Sequence, residues 1–136
     1  MTYRFTARAV AAEADVDGDV MQAGAAEDED GSGFFLLFMS NIGEPSQQNV
    51  SLGFDTHCVV TPDQGTAYGC VREIALRDNL LTVSLDPDSL DDLELEDAQI
   101  EAVLDVPAED IERLREMLAR VLAFGRHDAR PVRVDL

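Results

Sequence analysis

One sustained helical period runs through this chain, and it comes near the end. Between Pro107 and Phe124 the apolar residues Ile111, Leu114, Leu118, Val121 and Leu122 recur at helical spacing, which gathers them on one face. Pro107 stands at a favoured first-turn position, Glu109 and Asp110 lie near the positive end of the helix dipole, and Gly125 marks the stop. Almost everything before it reads as strands and connections. Such an order contains no βαβ alternation, which excludes the Rossmann and P-loop folds, and neither glycine-rich fingerprint occurs. The expected fold class is α+β: an antiparallel β-sheet built from consecutive hairpins, with the C-terminal α-helix packed on one face.

The strands can be placed by their alternation. In YRFTARAV, Tyr3, Phe5, Ala7 and Ala9 share one side and Arg4, Thr6 and Arg8 the other. The stretch from about 13 to 33 is mostly Ala, Gly, Asp and Glu with no aromatic residue and little β-branched content, and is expected to be a mobile, solvated acidic loop. FFLLFMS, Phe34 to Ser40, is continuously apolar and predicts a central strand buried on both faces. NIGEPSQQNVSLG follows as an irregular connection. THCVV and TAYGCV form a hairpin through TPDQG, where Pro62 presets the turn and Gly65 can take the left-handed conformation. A second hairpin turns at Asp78-Asn79, setting Leu76 opposite Leu81 and Ile74 opposite Val83; the same period-two count puts Tyr68 and Cys70 on the buried side. DPDSLDDLELED reads as a short helical turn and QIEAVLDV as a strand, while RHDARPVRVDL either adds a short edge strand or stays loose.

The 136 residues suit a single domain, and 28 acids against 10 bases, all arginine, give a formal net charge of −18. Nucleic acids and anionic membranes would be repelled, so a partner with a basic surface is favoured. Acids concentrate at 13–30 and again from Asp78 to Glu112, whereas six arginines lie from Arg113 onward. Of the two acidic regions, the one held between a strand and a helical turn presents its charges at less ordering cost, which makes Asp88, Asp91, Asp92, Glu94, Glu96 and Asp97 the candidate partner-binding residues. No apolar run is long enough to span a bilayer and the N-terminus lacks the form of a secretory signal, so a cytoplasmic protein is expected.

Candidate chemistry is sparse. His57, Cys58 and Cys70 are the only cluster of soft ligands or nucleophiles, with His127 the other histidine. Adjacent His57 and Cys58 point to opposite faces of a strand, and either one, depending on register, lies across from Cys70. Two ligands at most can therefore meet, short of the three or four that zinc requires. Both cysteines are expected to be free thiols packed in the hairpin, a cross-strand disulfide being the minor alternative. DVDGDV at Asp15 to Val20 fails as a calcium loop, because its glycine stands fourth and the twelfth position is Ala26. No catalytic residues, cofactor or metal are assigned.

Leu52 to Leu95 resembles the immunity protein 10 family of bacterial polymorphic toxin systems, in which a Met-Asp-Thr-Tyr-Cys type strand leads to Tyr-Gly-Gly-Val, then a hairpin of alternating leucines and an acidic turn. GFDTHC at Gly53 to Cys58, YGCV at Tyr68 to Val71 and LLTVSL at Leu80 to Leu85 carry the likeness, which extends over about 34–124. The chain departs from the pattern at Cys70 and His57. What the resemblance implies is an immunity protein that binds and neutralises a cognate toxin domain by occluding its active site or substrate groove, without chemistry of its own. The alternative is a non-catalytic structural or interaction domain, with a small enzyme behind it; a toxin-like gene beside this one separates them.

Overall fold

In the computed structural model, which describes residues 2–30, 32–43, 47–52, 55–125 and 130–136, ten strands form two five-stranded sheets rather than one. The first runs in the order β1 (Thr2–Ala7), β9 (Gln99–Leu104), β8 (Leu80–Leu85), β7 (Val71–Arg77), β10 (Arg133–Asp135). The second runs β2 (Ala9–Asp15), β3 (Val20–Ala26), β4 (Phe35–Asn41), β5 (Cys58–Val60), β6 (Thr66–Tyr68). Helices are α1 (Gln47–Leu52), within the stretch expected to be irregular, α2 (Leu90–Leu93) and α3 (Ala108–Leu122). The α+β class holds. His127, Gly53 and Phe54 of the GFDTHC motif, and Pro45 lie outside the described residues.

The chain crosses between sheets twice, at Arg8 and at Gly69-Cys70. A period-two count cannot be carried through such a break. Gly69 adopts φ 62°, a left-handed conformation that ends β6 and re-aims the chain into β7. Tyr68 therefore points outward and is 44% exposed, contrary to its expected burial, while Cys70 is fully buried. Within the first sheet the hairpin register is as the sequence implies: Leu76 pairs with Leu81 and Ile74 with Val83 across Asp78-Asn79. The edge strands β1 and β10 pair parallel to β9 and β7. Their partners are distant in sequence, so no hairpin fixes an antiparallel direction.

The largest correction concerns the expected acidic loop. Residues 13–33 contain the end of β2 and all of β3, an antiparallel hairpin in register from Ala9 opposite Ala26 to Asp15 opposite Val20. Met21, Ala23 and Ala25 are buried in the core. Helix α3 lies against β3, β2 and β4, presenting Leu114, Leu118, Val121 and Leu122 to strands whose inward residues include Ala12, Ala23 and Ala25. Small side chains there let a helix of large ones sit close, so packing overrides the weak strand propensity of alanine. Arg115 on the same helix donates from Nη1 to the Leu76 carbonyl at 3.2 Å, tying α3 to the first sheet. One apolar cluster joins both sheets and the helix.

Two smaller expectations change. Gly65 keeps φ at −63°, and Gln64 takes the left-handed conformation instead. The glycine serves space: a Cβ there would strike the Thr61 hydroxyl and the Leu93 carbonyl. Central strand β4 is buried on one face only, since Leu36, Phe38 and Ser40 are inside while Phe35, Leu37 and Met39 are half-buried on the other side.

Candidate functional site

The histidine and the two thiols take separate roles. Gly69 N–H donates to the His57 carbonyl at 2.9 Å and Cys58 pairs with Tyr68, a register in which neither His57 nor Cys58 lies across from Cys70 as expected, because β6 ends at Tyr68 before the cysteine. His57 is fully buried, and its Nε2 accepts from the Val71 N–H at 3.3 Å. Burial pushes its pKa down to about 4, so the imidazole is neutral at pH 7. Cys70 is also fully buried, and desolvation raises its thiol to about 12. Cys58 turns to the opposite, half-exposed side of the strand, with its pKa likewise raised by burial. Both cysteines are free, and among the described residues no three His, Cys, Asp or Glu side chains gather as a metal would need. A thiolate nucleophile has no support in this arrangement.

The six acids singled out from sequence follow β8 as a short, anchored segment. Asp88 lies in the 3-10 turn Pro87–Ser89, Asp91 and Asp92 in α2, and Glu94 caps α2 at φ 57°. Asp88, Asp91, Asp92, Glu94 and Glu96 are exposed and Asp97 is half-buried. The segment is pinned at Asp86 and at Leu93. Asp86 accepts from the Asp88 N–H at 3.0 Å and from Arg72 at 2.6 Å, and these bonds, the backbone one foremost, hold its carboxyl below the usual range. Leu93 is fully buried, and Thr61 Oγ1 donates to its carbonyl at 2.5 Å. Glu94, Glu96 and Asp97 border a hollow of about 300 Å³ walled by Tyr3 and Phe34, whose rings lie 4.6 Å apart.

The structure shows a second surface, whose residues the sequence did not pick out. On the outward face of the second sheet, strand pairing aligns Ala9, Ala26 and Phe35 in one row and Ala11, Gly24, Leu37, Val60 and Thr66 in the next. A third row holds Glu13, Gln22, Met39, Cys58 and Tyr68. Its middle is uncharged. Gly24 leaves no room for a side chain, because a Cβ there would come within 2.5 Å of the Leu36 carbonyl oxygen and 3.1 Å of Leu37 Cδ1. By contrast the outward face of the first sheet carries Arg4, Glu101, Thr82, Glu73 and Arg77, an ordinary solvated pattern. The signal for the second surface lay in FFLLFMS: six apolar residues in a row supply one face more than this core uses.

Comparison with known proteins identifies the chain. The profile of the immunity protein 10 family matches residues 6–112, from β1 into α3. The chain belongs to that family. The match reaches further toward the N-terminus than the likeness over about 34–124 and takes in the β2–β3 hairpin, so the whole second sheet of this immunity protein 10 family member and β7, β8 and β9 of the first fall within it. No curated protein and no solved structure matches it. Among the described residues no helix is long and apolar enough to cross a membrane.

Proposed function

We propose that this protein binds a cognate toxin domain and neutralises it by covering the active site or substrate groove, without chemistry of its own, in the cytoplasm of a bacterium that carries the toxin. Membership of the immunity protein 10 family is the observation that carries this reading. The physical features agree with it. A neutral buried imidazole and protonated thiols are poor catalysts, whereas a net charge of −18 favours a basic partner. Many enzymes that act on nucleic acids carry basic grooves, and an acidic inhibitor gains association rate from steering toward them. In this reading Asp88, Asp91, Asp92, Glu94, Glu96 and Asp97 guide the encounter. The test is size-exclusion chromatography with light scattering on a mixture with the toxin domain encoded beside this gene: an equimolar complex supports the proposal, and separate elution of the two proteins at micromolar concentrations refutes it.

A further inference from the structure

Resting on that reading, we infer that the outward face of the second sheet, centred on Leu37, Met39 and Val60, is the surface that docks on the toxin. The partner it fits has an apolar centre ringed by lysine or arginine. The five strands carry no basic residue at all, and their only acids, Glu13 and Asp15, lie toward one end of the edge strand β2. Between Arg8 and Arg72 the sequence has no arginine or lysine.

Acids stand at both ends of this face and are held by local bonds. In the β2–β3 turn the Gly18 N–H donates to Asp15 at 3.1 Å, while Asp19 accepts from the Gly43 N–H at 2.7 Å. At the other end Asp28 and Glu29 line the hollow beside Phe35 and Leu37, Ser32 Oγ donates to Asp30 at 2.7 Å, and these three acids outnumber the single arginine beside them, Arg8. An apolar centre with fixed like charge at its edges is complementary to a partner of the opposite rim charge, and its order is present before binding.

Strand spacing gives the face about 19 Å across five strands and about 20 Å along the longest, roughly 400 Å². A standard interface covers about 800 Å² on each partner, so the face supplies the desolvated centre and the acidic ends the rim. A second copy of this chain is a poor occupant. Two-fold pairing would set one acidic rim against another on chains each carrying −18.

The experiment compares wild type and Leu37→Glu in binding to the neighbour-encoded toxin domain, with a thermal melt as the fold control. Buried charge at the centre is expected to weaken binding by at least about tenfold. A second measurement needs no variant. Cys58 lies on the face and Cys70 inside, so alkaline N-ethylmaleimide should label Cys58 in the free protein and slow sharply in the complex. A wild-type complex in which Cys58 labels at the free rate, or Leu37→Glu binds within about twofold, would place the interface elsewhere and overturn this inference alone. Failure of the wild type to bind would remove the functional reading as well. A wild-type dimer dispersed by Leu37→Glu would assign the face to a second copy and also overturn the inference.

Discussion

His57 shows how one residue can couple this fold to pH. Its imidazole is buried and accepts from the Val71 N–H through Nε2, while Nδ1 has no hydrogen-bond partner among the described residues. In the folded chain it titrates near 4, against 6.5 when exposed. Protonation therefore favours the unfolded chain: the contribution is whole above about 6.5, shrinks as pH falls toward 4, and is exhausted below that. Between pH 7 and 4.5 the loss attributable to this group is about 2–3 kcal/mol. Urea unfolding of wild type and His57→Gln at both pH values should show the variant losing less by that amount; equal losses would mean the imidazole is solvated. The difference between variants is the quantity to read, because 28 carboxylates titrate in the same range. From sequence the opposite facing of His57 and Cys58 was legible, since alternation within one strand fixes it. The outward turn of Tyr68 was not, because Gly69 breaks the alternation at a point where nothing in the residue types marks a change of sheet.

Hairpins declare themselves in the sequence to different degrees. β7 and β8 have branched and large apolar residues in matching positions around a two-residue turn, so their register could be read directly. β2 and β3 offer Ala, Gly and Gln, and their place in a sheet is decided by α3 lying against them, a long-range contact that local propensity does not contain. The second sheet depends on this hairpin. Removing residues 18–30 deletes β3 with buried Met21, Ala23 and Ala25 and uncovers the apolar face of α3. The deletion variant is expected to lose its cooperative thermal transition in scanning calorimetry. An unchanged melting temperature would show that β3 contributes nothing to the core. The helix itself was legible because its period, its first-turn acids and Gly125 agree; Gly125 at φ 88° also bridges to Thr56, where a Cβ would collide with the Asp55 carbonyl.

At the scale of the whole molecule, charge and apolar surface are segregated. Arginine clusters on α3 and after it, while the outward face of the second sheet and the turn before β9 are free of it. The anchored acids at Asp91 and Asp92 are exposed and contribute little to stability, so reversing both to lysine should leave the melting temperature nearly unchanged. The same change is expected to slow association with the toxin by about three- to tenfold at low salt and to flatten the salt dependence, with dissociation little altered. Stopped-flow rates across a salt series check this, and an unchanged slope would remove these residues from the encounter. The acidity that disfavours nucleic-acid partners was open to reading from composition, as was the family through its strand motifs. The open sheet face was hidden because a sequence does not show which of two apolar faces the core will take. Neutralisation by occlusion is tested most directly by titrating the toxin's activity with purified protein. Activity should fall linearly and reach its floor at one equivalent, at once and independently of time; inactivation by substoichiometric protein, progressing with time, or full activity in excess protein would contradict it.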